Sequence, residues 1–295
     1  MDPSPEDNAP EQPAHPAPFL TDAVRASARQ RVEAKVAEAT QATNVLGTFT
    51  LFVKEMERFL TFALQSLISP ALTTMLWFLV FGYSLGGQLS EMGGIPYVDF
   101  LVPGLVMMAV LTNAFINSSF SFFITKVHGT VADLLVTPLT PNQIILAYTA
   151  ASVVRAVAIG SIIWGVAALM GASTLHHAGW TLGFLLLTSA GFGILGLLIG
   201  ILARDFDHVN FIPAFLLLPL TFLGGVFYSV TLLPAPWDTV SLFNPILYMI
   251  NGLRYGMTGV SDVSVGLGLA ISAGTVAAGW AATWWLLASG KKLRE

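Results

Sequence analysis

Cysteine is absent from the 295 residues, which excludes a disulfide framework, thiolate catalysis and cysteine-ligated metal. Charge is scarce: Asp, Glu, Lys and Arg together make 10% of the chain, against about 25% in a soluble domain. No basic face suited to nucleic acid can be assembled from so few cations. The phosphate-binding pattern G-x-x-x-x-G-K-[ST] is missing, so this chain does not bind ATP in that way. No carboxylate lies deep within an apolar run, whereas a proton-driven carrier relies on such a group. His128, His176, His177 and His208 fall in or beside loops and His15 near the start. The His176-His177 pair has no third ligand nearby and reads as an outer loop rather than a metal site.

What the chain does have is apolar length. Hydrophobic residues make up 55% and the mean hydropathy is +0.73, values of an integral membrane protein. Six runs, near 62–86, 101–125, 143–170, 181–203, 209–230 and 265–288, meet the requirement of about 20 residues for a crossing. Residues 1–20 are Pro-rich and acidic and predict a disordered tail without the apolar core of a signal peptide. Residues 21–45 predict a cytoplasmic helix or a loosely ordered continuation of that tail. Residues 46–61 repeat Phe49, Phe52, Val53, Met56, Phe59 and Leu60 at helical steps, with Lys54, Glu55, Glu57 and Arg58 between them. That pattern predicts an amphipathic helix lying in the interface with its charges in water, or an extension of the first span.

The basic residues orient the chain. Of thirteen Lys and Arg, all but Arg155 and Arg254 lie on one side if both termini are cytoplasmic, and the outer loops near 87–100 and 171–180 contain none.

The inner loop between spans two and three carries the most information. Val127, Val131, Leu134 and Leu135 are spaced as one stripe of a short helix, which Gly129 and Thr130 open and Pro138 and Pro141 stop. A short amphipathic helix held there suits the groove of a partner, or packs under the bundle as an ordinary interfacial loop. Gly129, Thr130, Asp133, Leu134, Leu135, Pro138 and Leu139 resemble the Gly-Thr-x-x-Glu/Asp-Leu-Leu-x-x-Pro-Leu signature of ABC-2 type permeases, whose coupling helix would here also include Val131. The stretches 100–105, 223–229, 244–246 and 252–256 are similar to that family in the same order, and the resemblance covers about 46–290. It implies an all-α membrane fold: six transmembrane helices after an amphipathic interfacial helix, with a cytoplasmic coupling helix and an outer re-entrant hairpin between spans five and six. Residues 231–262 agree with the hairpin, being long, apolar and broken by Pro234, Pro236 and Pro245. The resemblance further implies a homodimeric exporter subunit of the bacterial inner membrane. Its partners are two copies of a separate ATPase that binds ATP and Mg, with no cofactor in this chain. The cargo is a hydrophobic or amphipathic drug, lipid or lipid-linked glycan. An ion-coupled carrier and a membrane scaffold without transport are the competing classes.

Two arginines break the orientation rule. Arg155 stands about eleven residues into span three, near mid-membrane at about 1.5 Å per residue. An unpaired charge is costly there, so it should turn to Asn113, Asn117 or Ser121, which share one face of span two, or to an anionic substrate. Arg254 stands at the return of the outer hairpin, where it bonds hairpin carbonyls or a headgroup. Trp77, Phe78, Phe81 and Tyr83 in span one and Phe222, Phe227 and Tyr228 in span five read as lipid-facing rings. The resemblance instead places spans one and five along the substrate path, which makes Phe222 and Tyr228 path candidates beside Asn113, Asn117 and Arg155.

Overall fold

The computed structural model describes residues 44–61, 63–86, 91–131, 134, 137–172 and 174–289. The predicted tail (1–20) and nearly all of the helix predicted over 21–45 lie outside the described residues, as do Asp133, Leu135 and the side chain of Tyr83. The rest is helical: α1 (Val45–Thr61), α2 (Ala63–Trp77), α3 (Tyr97–Val127), α4 (Pro141–Leu169), α5 (Ala178–Leu202), α6 (Phe206–Ile212), α7 (Leu218–Leu223), α8 (Trp237–Leu242), α9 (Pro245–Thr258) and α10 (Val265–Ser289). Six helical stretches are long and apolar enough to cross a bilayer: Ala63–Gly82, Tyr97–Val127, Pro141–Leu169, Ala178–Leu202, Phe206–Leu223 and Val265–Ser289.

Span two is the axis. Of its most apolar stretch 78% is buried, against 11% for span one and 17% for spans five and six. Span four lies backbone to backbone against it. A Cβ on Gly196 would stand 2.2 Å from the Phe115 carbonyl oxygen, and one on Gly200 2.6 Å from that of Ser119. Small residues four apart allow such approach, and close packing is what holds helices together in lipid.

Span five departs from a regular helix where its prolines fall. Pro213 and Pro219 donate no backbone N–H, and the wide turn Pro213–Leu217 carries the chain between α6 and α7. Asp205 caps its first turn, accepting from the His208 N–H at 2.8 Å. That bond, then the His208 ring, holds the Asp205 carboxyl below the usual carboxylate range.

Between spans five and six the chain turns back into the bundle, with α8 largely exposed and α9 almost wholly buried against α3, α5 and α10. Asn244 starts α9 by accepting from the Ile246 N–H at 3.0 Å and donating to the Leu220 carbonyl at 2.6 Å. Gly252 lies against the Phe184 ring and Gly256 against the Thr181 backbone, at spacings that leave no room for a Cβ. The outer loop before span two adds a short antiparallel pair that the all-helical reading did not include. Glu91 faces Pro96 and Met92 faces Ile95, around Gly93 and Gly94 at φ +62° and +81°, backbone that favours glycine.

Candidate functional site

Three features gather around α1, the end of span two and the exposed side of span one. The first is a groove of about 510 Å³ between α1 and the segment after span two, lined by Leu46, Gly47, Leu51, Lys54, Leu134 and Leu139 among others. Span two ends at Val127 in a left-handed turn at Gly129, φ +73°. The Gly129 N–H bonds Lys126 O at 3.0 Å and the Thr130 N–H bonds Thr125 O at 3.1 Å, the paired bonds that close a helix C-terminus. Leu134 then bonds back to Thr130 O at 3.2 Å, one helical turn. This break corrects the stripe expected from spacing. Val127 belongs to span two and is 54% exposed, whereas Val131 starts the new turn and is 5% exposed, so they do not share a face. Pro141 does not stop the short helix but opens span three at N1. Thr140 caps it, exchanging bonds with Gln143. Pro138 and Thr137 are exposed on the groove's rim.

The second feature is a charged cluster where α1 meets spans two and three. Glu55 is 6% exposed, accepts from the Ser121 hydroxyl and pairs with Arg58 at 3.2 Å. The amphipathic reading put all four α1 charges in water, and Glu55 corrects it. The Leu51–Glu55 face docks on the bundle, so Glu55 is buried beside a hydroxyl and a guanidinium that compensate it. Phe49 and Leu60 stay exposed at 59% and 64%. Arg155 donates to the Asn117 side-chain oxygen, and its guanidinium carbon lies 5.0 Å from the Phe59 ring centre. Asn113 is not part of this cluster: it donates to its own helix at Ala109 O, 2.9 Å. Ser121 serves Glu55 instead of Arg155. Arg155 is the fifteenth of the 29 residues of α4, and α1 packs along that helix.

The third feature is the exposed side of span one, which the sequence reading missed. Thr61, Gln65, Ser69 and Thr73 line one open groove with Leu64, Ile68, Leu72 and Leu76. All eight are exposed. The signal was legible: hydroxyls and an amide recur at every fourth position of an apolar run. Towards the outer end, span one meets span five through rings. Trp77 lies 6.2 Å from Phe222 and 5.7 Å from Phe227, and Phe81 lies 4.3 Å from Phe227. Tyr228 folds back to donate to Phe222 O at 3.0 Å. Rings predicted to face lipid here pack on one another.

The end of the bundle where span two begins is closed around Arg254, which is fully buried. Its guanidinium donates to Gly225 O at 2.6 Å, Asn251 Oδ1 at 3.2 Å and Phe100 O at 3.4 Å. It lies 3.9 Å from Asp262 and 3.8 Å over the Phe100 ring. One side chain thus joins the start of span two, the end of span five and the hairpin. Opposite, His177 stacks on Tyr255 at 4.9 Å, and among the described residues no group of three metal-ligating side chains occurs.

Set beside known proteins, residues 47–258 match the model of the ABC-2 type transporter. The chain belongs to that family. It is 38% identical over 246 residues to the inner membrane transport permease YadH of Escherichia coli K12, covering 83% of this chain and 96% of YadH. It is 28% identical over 205 residues to nodulation protein J of Rhizobium leguminosarum bv. trifolii, covering 69% of this chain and 78% of that protein. The six apolar helices and these relatives make it a multi-pass ABC transporter permease of the membrane, and family membership implies partnership with an ABC-type ATPase.

Proposed function

We propose that this chain is the permease half of an exporter, working as a homodimer with two copies of a separate ATPase that binds ATP and Mg. The groove between α1 and residues 130–139 carries the reading. It is apolar, open, and bordered by Lys54 at the end of the bundle where the basic residues gather. Thr130, Leu134, Thr137, Pro138 and Leu139 form its described side, and Gly129, Val131, Asp133 and Leu135 belong to the same segment. A partner helix docked there would move the inner ends of spans two and three when nucleotide closes the ATPases.

The dimer reading rests on span one. Polar side chains on an exposed span face are costly against lipid tails and are favoured against another helix or a wet path. With the ring cluster of Trp77, Phe222 and Phe227 above it, this side borders the route of a hydrophobic or amphipathic substrate, from the inner leaflet outward. The short outer loops offer no platform for a delivering protein, which favours export. Both termini are cytoplasmic in this reading.

Replacing Leu134 and Leu135 together with Asp puts a carboxylate into the groove at 134 and a second into the same segment. Co-expressed with its ATPase, the variant should lose complex recovery or stimulated ATP hydrolysis while keeping its elution profile. Full retention of both would remove the coupling assignment.

A further inference from the structure

Spans three and four touch at Ser152 and Gly193, where a Cβ on the glycine would stand 3.0 Å from the Ser152 Oγ. On the loop side of that contact a crevice of about 190 Å³ opens between them. Its walls are two helical stripes of the same spacing: Val157, Gly160, Ser161 and Trp164 of span three, and Ala178, Thr181, Leu182 and Leu185 of span four. Val106 of span two and Leu253 and Met257 of α9 form the floor and are buried, whereas Ser161, Ala178 and Leu182 at the mouth are exposed. The His176 and His177 N–H groups bond the Met257 and Gly256 carbonyls at 3.1 and 2.7 Å, which ties the joining loop to the end of α9.

None of the lining residues is Asp, Glu, Lys, Arg or His, so the crevice suits an uncharged occupant. Two donors stand at the end nearer the loop. Among the described residues nothing bonds the exposed Ser161 hydroxyl, although helix hydroxyls commonly turn back on their own carbonyls, as Thr181 does to His177 O at 3.2 Å. One turn on, the Trp164 Nε1 is buried without an acceptor. Towards mid-span the lining is Val157, Leu185 and Val106, wholly apolar. Size narrows the choice further. Val157 to Trp164 is two turns, about 10 Å. A partner helix, about 10 Å across, is too thick for about 190 Å³, and water finds too few polar groups on these walls. A single hydrocarbon chain with an uncharged oxygen at the donor end matches the length, the girth and the lining.

We propose that this crevice binds one ester-linked acyl chain, whose carbonyl accepts from Ser161 and, after a small turn of the ring, from Trp164. The chain runs along Val157 and Leu185 and packs on Leu253 and Met257, beside the buried Arg254. An occupant therefore braces α9 against spans three and four. Either a neutral glyceride or a membrane phospholipid supplies such a chain, and the test separates the two. The site stands on spans three and four rather than on the exposed side of span one, so it is independent of the substrate route and of the coupling groove.

The full-length chain is reconstituted in phosphatidylcholine nanodiscs carrying a trace of one of two probes, a 1-acylglycerol or a phosphatidylcholine, each with the same diazirine-bearing acyl chain. After irradiation, labelled peptides are mapped by mass spectrometry. Labelling of residues 157–164 and 178–185 should exceed that of the exposed start of span six, around Leu267 and Leu269, by about fivefold with at least one probe. Ser161→Ala keeps the space and removes the donor, and should lower crevice labelling about fivefold. Ser161→Phe fills the mouth and should bring it down to the level of span six. If that variant does not fold, Ala178→Phe fills the mouth from the opposite wall. Crevice labelling by neither probe above the span-six level overturns the proposal. Labelling that survives the Phe variants also overturns it, and labelling unchanged in Ser161→Ala overturns the ester contact. Equal labelling by both probes makes the occupant a phospholipid chain, and labelling by the 1-acylglycerol alone makes it a neutral glyceride.

Discussion

Arg254 and Arg155 are the two arginines that sequence placed against the orientation rule, and they are opposites. Where span two begins, Arg254 is fully buried, with two backbone carbonyls, an amide, a carboxylate and a ring around it. Where α1 meets spans two and three, Arg155 is half-buried, with one amide and one ring. A guanidinium whose donors are met by the fold is a fastener. The residues around Arg254 tie span two, span five and the hairpin together, whereas those around Arg155 leave its buried Nε without an acceptor.

The largest effect should come from unfastening the outer end. Arg254→Ala strands the Asp262 carboxylate and the carbonyls of Phe100 and Gly225 in a dry site, at a cost of about 3–5 kcal/mol. Yield of monodisperse protein and the apparent Tm in detergent should both collapse, and a near-normal Tm would end the claim that this arginine secures the outer half. A smaller loss is expected inside. Glu55→Gln removes the ion pair to Arg58, which is itself about a third exposed, so the cost is about 1–2 kcal/mol after solvent screening. The apparent Tm in detergent should fall by less than in Arg254→Ala, and an unchanged Tm would contradict the buried pairing of Glu55 with Arg58 and Ser121. The smallest effect is Thr140→Ala, which deletes one half of the reciprocal cap on span three for about 1 kcal/mol. A Tm lowered by less than in Glu55→Gln would mark the cap as local.

Much of the fold was legible because lipid simplifies the code. An apolar run of sufficient length has little choice but to cross, so six spans were found with ends displaced by a few residues. Span two, for example, begins at Tyr97 rather than 101. Local chemistry was harder where spacing was counted across a break. Val127 and Val131 are four apart, but the Gly129 turn between them rotates one away from the other. Burial of Glu55 could not be read from α1 alone, because the compensating hydroxyl comes from Ser121, 66 residues later. The partners of Arg254 likewise come from residues 100, 225, 251 and 262, a convergence that only tertiary packing reveals. Asn117 as the acceptor for Arg155 was within reach of helical spacing, and the polar edge of span one was present in the sequence but unread.

The turn at Gly129 and the cap at Thr140 have a joint consequence. The groove segment has no slack at either root: it leaves span two through a closed pair of backbone bonds and enters span three through another. If a partner docks in the groove as proposed, whatever displaces Thr130 or Thr140 displaces the ends of spans two and three with it, and span two, gripped along most of its length by its neighbours, would serve as the crankshaft of the bundle.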